Sequence, residues 1–171
     1  PDYVFGASAP QHYAFVKEHY PELYEKIKAA VKSGRWELQG GMWVEADCNL
    51  ISGESMVRQF LHGKNFFMDE FGEDVKNLWI PDVFGYSAAM PQIIRQAGCD
   101  YFLTQKISWS WSNKFPYHTF NWRGIDGSEV LTHFPPEDNY NSALKPEQLN
   151  YAVNNFNENY FLPEFITLFG V

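Results

Sequence analysis

The sequence predicts an α/β protein in which strands alternate with helices, giving a parallel sheet or barrel with the helices outside. Short apolar runs recur between longer stretches whose apolar residues fall at helical spacing. The connections between successive runs are long enough for the crossovers that parallel strands need. With 171 residues and 45% hydrophobic content, the chain can build one core burying about 70% of the unfolded surface.

Tyr3-Val4-Phe5 opens as a strand, and Ser8 can accept a hydrogen bond from the first turn of a helix that has Pro10 early in it. Gln11 to Tyr20 and Glu22 to Lys32 read as two consecutive helices: Tyr24, Ile27 and Val31 share a face, and Ser33-Gly34 stops the second. Trp36 to Gln39 alternates as a short strand before Gly40-Gly41 and a loop carrying Trp43, Glu45, Asp47 and Asn49. Ser52 precedes a third helix, with Met56, Phe60, Lys64 and Phe67 about a turn apart and Gly72 closing it. Leu78 to Ile80 is a buried strand ending at Pro81-Asp82, and Ser87 caps a helix from Ala88 to Ala97 that stops at Gly98. Tyr101 to Leu103 is the next strand. Thr119 to Trp122 and Glu129 to His133 flank Asp126-Gly127, a dipeptide favoured in tight hairpin turns. A helix from Pro146 to Asn157 and a buried strand from Phe165 to Phe169 complete the pattern.

Thirteen Lys and Arg against 21 Asp and Glu give a net charge of −8, the wrong sign of field for a general nucleic-acid binder. The longest apolar run, Tyr13 to Val16, is far short of the roughly 18 residues a membrane-spanning helix needs. The first residues lack the basic and apolar stretches of a secretory signal, and without an initiator Met the chain reads as a piece of a longer one. Cys48 and Cys99 are too few for a disulfide framework and lack metal-ligand spacing, so a cytoplasmic setting is expected. Aromatic residues make up 18% of the chain and offer flat faces that suit sugar rings or an ordinary core.

In parallel α/β folds ligands gather at the carboxyl ends of the strands. Acidic groups occupy two such places: Glu45-Ala46-Asp47 after the second strand and Asp82 after the third. An acid there can ligate a metal, attack an electrophilic carbon or exchange protons, although a local turn hydrogen bond is the commoner role of such an Asp. His62, His118 and His133 form no His-x-x-x-His or His-x-Asp pair, and Trp109, Trp111 and Trp122 suit sugar stacking or core packing equally.

Four segments occur in order: Gly40-Gly41-Met42-Trp43-Val44-Glu45-Ala46-Asp47, Ser52-Gly53-Glu54-Ser55-Met56-Val57-Arg58-Gln59, Trp79-Ile80-Pro81-Asp82-Val83-Phe84-Gly85-Tyr86-Ser87 and Thr132-His133-Phe134-Pro135-Pro136. Together, from Tyr3 to Gly170, they resemble the catalytic domain of glycoside hydrolase family 38, the α-mannosidases, in particular its bacterial and cytosolic branch. The resemblance implies that residues 1–171 are part of a seven-stranded β/α barrel-like N-terminal domain, mostly parallel, with outer helices. It also implies a zinc-dependent retaining α-mannosidase acting on α-mannoside oligosaccharides. Asp82, at the Asp of the family's Asp-x-Phe-Gly-x-Ser stretch, would be both nucleophile and zinc ligand. Phe84 would lie near the sugar, and Lys106 falls on a basic position near the nucleophile that is Arg in some members. Trp43, Glu45 and Asp47 resemble a loop bordering the site, and Tyr140 falls near a Tyr that touches substrate in relatives. Glu54 and Arg58 read more simply as an ion pair along one helix face.

The family's His-x-Asp zinc pair, its third metal-ligating His and a Gly-Asp-Gly-rich segment bearing the acid/base are expected outside these residues, the last beginning at Phe169-Gly170-Val171. The chain alone is therefore expected to be inactive and to associate through unpaired sheet ends. Two other classes remain open: a non-catalytic carbohydrate-binding module using Trp43, Trp109 and Trp111, and a metal-dependent sugar deacetylase on a similar barrel.

Overall fold

The structure is a computed structural model that describes residues 3–169. In chain order its elements are β1 (Phe5–Ala7), α1 (Pro10–His19), α2 (Pro21–Lys32), β2 (Trp36–Leu38), α3 (Gly53–Phe71), β3 (Asn77–Trp79), α4 (Met90–Gln96), β4 (Tyr101–Leu103), β5 (Thr119–Arg123), β6 (Glu129–His133) and α5 (Pro146–Asn155). Parallel β1 and β2 form one small sheet, and a second runs in the order β3-β4-β6-β5, parallel except for the antiparallel β5–β6 hairpin.

The two sheets meet through side chains. Asn77 Oδ1 accepts from the Gly40 N–H at 2.7 Å, and its Nδ2 donates to Gln39 Oε1 at 2.6 Å, so polar side chains bridge the ends of β2 and β3. Described residues thus supply six strands in two sheets, and neither a closed barrel nor a seventh strand is among them.

Alternate strand residues separate two faces. Leu78, Phe102 and Val130 point into a core with Met56, Phe60, Met90 and Ile94 of α3 and α4. This burial drives the assembly, at about 25 cal/mol per Å² of apolar surface removed from water. The other face carries Trp79, Tyr101, Leu103 and Leu131 and lines a cleft of about 650 Å³, bordered by Leu162 to Ile166. A second core joins Tyr13, Tyr24 and Ile27 of α1 and α2 to Phe67 of α3. Glu70 reinforces it, accepting from the Tyr24 hydroxyl at 3.0 Å and pairing with Lys17 and Lys28.

The long helix begins and ends as its sequence predicts. Ser52 Oγ accepts from the Ser55 N–H, and Gly72 closes the helix in the left-handed conformation at φ 71°. Elsewhere the boundaries shift. The opening strand lies at Phe5–Ala7, two residues beyond Tyr3 to Phe5, because the ladder with Trp36–Leu38 is closed by Phe5 N–H to Arg35 O and Gln39 N–H to Ala7 O. Ser8 does not cap α1: Ala9 takes the cap position, and the Gln11 N–H donates instead to Trp43 O. Helix α4 starts at Met90, two residues after Ala88, because Ser87 first closes a turn, its Oγ accepting from the Ala89 N–H. The hairpin loop spans 124–128, with Gly124 N–H bonded to Ser128 O, so Asp126-Gly127 sits within a longer turn. Helix α5 ends at Asn155, where Phe156 turns extended.

The segment from Phe165 to Phe169 is not a strand. Its Ile166 N–H goes to the His133 side chain and Leu168 O accepts from the Ser142 N–H, leaving a single bridge, Ser142 to Phe169. The apolar run Phe165 to Phe169 reflects a chain laid against a sheet rather than a place in one.

Gly63 fixes how closely α3 can approach the Gly41-to-Trp43 loop. A Cβ there would sit 2.3 Å from Gly41 O and 2.7 Å from the Met42 carbonyl carbon, both backbone atoms. Gly63→Ala should lower unfolding free energy by about 2 kcal/mol or more by forcing these elements apart. Gly53→Ala, which meets nothing within 4 Å, should stay within about 0.5 kcal/mol. Denaturant midpoints of the two variants test this contrast.

Candidate active site

The site is built by strand register. Trp79 lies opposite Leu103 in the parallel β3–β4 pair, and hydrogen bonding continues past both strand ends, from Ile80 N–H to Leu103 O and from Gln105 N–H to Pro81 O. The same register carried three residues on sets Asp82 beside Lys106. Lys106 Nζ lies 2.5 Å from Asp82 Oδ1; the lysine side chain is only 5% exposed, whereas the aspartate is 49% exposed.

The loop after β6 adds Tyr140, whose hydroxyl accepts from Lys106 Nζ at 3.1 Å. Aromatic rings surround the ammonium: Nζ lies 3.4 Å from the Trp109 ring centre, 4.8 Å from that of Tyr140 and 4.9 Å from that of Phe84. Each is within the roughly 6 Å reach of a cation–π attraction. Partial desolvation pulls Lys106 down, but the Asp82 carboxylate and Tyr140 hydroxyl outweigh it and hold its pKa above the ordinary lysine range. The ammonium therefore stays charged at neutral pH.

The turn bearing Asp82 is held from below. The Tyr86 hydroxyl donates to Val83 O at 3.0 Å, lies 3.3 Å from Ile80 O and contacts the Thr104 hydroxyl. Gly85 adopts φ 122°, and the Asn49 side-chain amide donates to Phe84 O at 3.4 Å. A side chain at Gly85 would meet both unfavourable backbone and Asn49 Nδ2, 2.5 Å from its Cβ.

The expected site residues are therefore not equivalent. Asp82, Phe84, Lys106 and Tyr140 converge. Glu45 is drawn toward them: burial, then the nearby Asp82 charge, raise its pKa, while Asp82 backbone and Ser8 hydroxyl contacts partly offset the rise. Asp47 turns onto its own backbone, Oδ1 accepting from the N–H groups of Asn49 and Leu50, the turn role open to any Asp in a loop. Trp43 packs edge-on against Phe66 and lines a groove along α3 with Arg58, Gln59 and His62. Glu54 and Arg58 form the helix-face ion pair, at 2.8 Å. Tyr86 and Asn49, which position the turn, gave no chemical signal in the sequence.

The remaining candidates have structural roles. Trp122 packs against Phe102 and Tyr86 in the core. His133 uses both ring nitrogens, Nδ1 with the Thr119 hydroxyl at 2.8 Å and Nε2 accepting from the Ile166 N–H at 3.2 Å. His118 Nδ1 accepts from the Asn157 N–H. Cys48 and Cys99 are free and buried, and burial pushes the Cys48 thiol up to about 12.

Among the described residues no three His, Cys, Asp or Glu side chains converge as a metal site. One oxygen of Asp82 is already paired with Lys106. These residues do not by themselves fit a zinc ion, which needs three or four protein ligands.

A half-exposed carboxylate at a parallel strand end is thus paired with a buried cation that lies against three aromatic rings. Residues 1–171 match the glycosyl hydrolases family 38 N-terminal domain, and the chain belongs to that family. It is 52% identical over 155 residues to alpha-mannosidase G of Dictyostelium discoideum, covering 91% of this chain and 14% of that protein. It is 50% identical to human alpha-mannosidase 2C1 (91% and 15%) and 48% identical to the Saccharomyces cerevisiae alpha-mannosidase (82% and 13%). The chain thus spans about a seventh of these relatives' length. Its fold is similar to an alpha-mannosidase structure from Enterococcus faecalis V583, with TM-score 0.65 and 23% identity over 82% of this chain and 17% of that one. The strong sequence relatives are eukaryotic, so a bacterial placement is not supported. No helix among the described residues is long and apolar enough to cross a membrane.

Burial, reinforced by His118, depresses His133 to about 4. Above pH 6.5 the neutral ring is favoured in folded and unfolded chains alike, so its contribution is fully present. As pH falls from 6.5 toward 4 the unfolded chain takes up the proton and the folded one does not, so stability declines by up to about 3 kcal/mol. His133→Gln should flatten this part of the stability–pH curve, as measured by denaturation at stepped pH.

Proposed function

We propose that the protein containing this chain is a zinc-dependent, retaining α-mannosidase that hydrolyses terminal α-mannosidic bonds of oligosaccharides, with Asp82 as nucleophile. The observation that carries this reading is the in-register pair of Asp82 and Lys106 at the β3 and β4 ends, with Phe84 and Tyr140 against the ammonium. Family membership and relatives named alpha-mannosidase support the substrate class.

In this reading Lys106 holds Oδ1 of Asp82 and leaves the second oxygen to attack the anomeric carbon. The bond to the leaving oxygen breaks as an acid protonates it, giving a mannosyl–Asp82 ester. Water then adds at the same carbon, giving its proton to the conjugate base of that acid, which returns Asp82 as carboxylate and releases mannose with net retention. Phe84 offers a flat apolar face to the sugar, and Tyr140 a hydroxyl. Glu45 borders the turn. In this reading Asp82 would be one zinc ligand, and the acid/base and further zinc ligands would come from elsewhere in the polypeptide. Zinc would supply Lewis-acid and template chemistry once bound. A cytoplasmic location fits the two free, buried cysteines.

Asp82→Asn in the full-length enzyme should reduce turnover of an aryl α-mannoside on the order of a thousandfold or more, the loss of several kcal/mol of barrier lowering. Mass spectrometry of the wild type with a slow fluorinated mannoside should find the sugar on the peptide carrying Asp82, and chelation should abolish activity that zinc restores. Undiminished turnover by Asp82→Asn would refute the assignment. Acetate release from an acetylated sugar would favour deacetylation, and mannose binding without hydrolysis would favour a binding module.

A further inference from the structure

Lys106 can act on Asp82 only if its flexible four-carbon side chain is held in one place. Tyr140 fixes it by one hydrogen bond at 3.1 Å. The nearest aromatic face belongs to Trp109, 3.4 Å from Nζ and closer than Phe84 or Tyr140. Trp109 reaches this position through the single 3₁₀ turn Lys106–Ser108, whose closing bond runs from the Trp109 N–H to Lys106 O. The turn folds the indole back over the side chain that begins it. Trp109 remains 64% exposed, although Lys106 beneath it is buried. It is thus a cover over the ammonium rather than a core residue.

We propose that Trp109 is a positioning residue: its indole face holds the Lys106 ammonium against Asp82 and keeps water from it. The proposal rests on Asp82 being the nucleophile. Such a face is suited to this task because its quadrupole attracts a cation without supplying an anion that would compete with Asp82 for it. Loss of the face would let the ammonium move toward solvent and release the Asp82 oxygen it holds. The consequence falls on the orientation of the attacking carboxylate, hence on kcat. Substrate affinity would change little.

The test uses the full-length enzyme with an aryl α-mannoside. Trp109→Leu, which keeps apolar bulk but removes the π face, should lower kcat about tenfold with KM within about twofold, as expected for a well-desolvated cation–π contact. Trp109→Phe, which restores a face, should recover to within about threefold of wild type. In a Lys106→Met background the Leu substitution should have a further effect of less than about twofold, because the two residues act as one unit. Wild-type kcat in Trp109→Leu, equal losses in the Leu and Phe variants, a rise in KM alone, or a full additional loss in the Lys106→Met background would each overturn the proposal. Unimpaired turnover by Asp82→Asn would instead overturn the nucleophile assignment on which it rests.

Discussion

The parallel register of β3 and β4 is the constraint on which the rest of the site depends. A parallel ladder fixes which residues lie side by side for as long as it continues, and here it runs past the nominal strand ends through Ile80, Leu103, Pro81 and Gln105. Asp82 and Lys106 are 24 positions apart in sequence, the same offset as Trp79 and Leu103. Their ion pair is therefore the next rung of a ladder whose backbone bonds have ended. A shift of one residue would turn the inward residue of the strand that moved, Leu78 or Phe102, away from α3 and α4 and would separate the charges as well. Core and chemistry are locked to one choice of register.

That coupling explains what the sequence could and could not reveal. The helices were legible because period, cap and stop agreed, most clearly from Ser52 to Gly72. Asp82 was legible as an acid at the end of an apolar run. Its partner was not, because nothing local to Gln105-Lys106 states the pairing of two strands separated by a helix; Lys106 was marked only by family resemblance. The Phe165-to-Phe169 misreading has a related cause. A short apolar run reports a chain that is covered, and a segment lying across a sheet can be covered without any ladder. Glu45, Asp47 and Trp43 stood together in one motif, yet three different contacts separate them: Asp82, a local turn and Phe66. Tyr86 stood in the Trp79–Ser87 segment and Asn49 in the loop after β2, but both act through backbone carbonyls, a role that any hydrogen-bonding side chain can fill and that residue type alone does not indicate.

The two sheet faces divide the labour. The helix-covered face supplies cohesion through close apolar packing. The opposite face, with Trp79, Tyr101 and Leu131 along a cleft, is crossed by the 162–166 segment, and His133 accepts a backbone hydrogen bond from it. A neutral imidazole is required for that acceptance, so the burial of His133 and its depressed pKa go with the packing of this segment. Where β2 and β3 adjoin, Asn77 does through its side-chain amide what a backbone ladder would otherwise do, satisfying Gly40 and Gln39 together. The sheet can open there without leaving these polar groups unpaired.

The electrostatics of the site follow from the same economy. The 171 residues carry a net charge of −8, and the Asp82 carboxylate on such a surface gains little from distant charges, which salt screens over about 8–10 Å. A single cation held close must serve instead. Burying a lysine is unfavourable unless its charge is matched, and here one carboxylate, one hydroxyl and three aromatic faces match it without a second acid. A second carboxylate on Lys106 would divide the ammonium between two anions and loosen its hold on Asp82. The aromatic canopy stabilises the cation while leaving its directional hydrogen bonds to Asp82 and Tyr140, so Asp82 is the one anion that the ammonium holds.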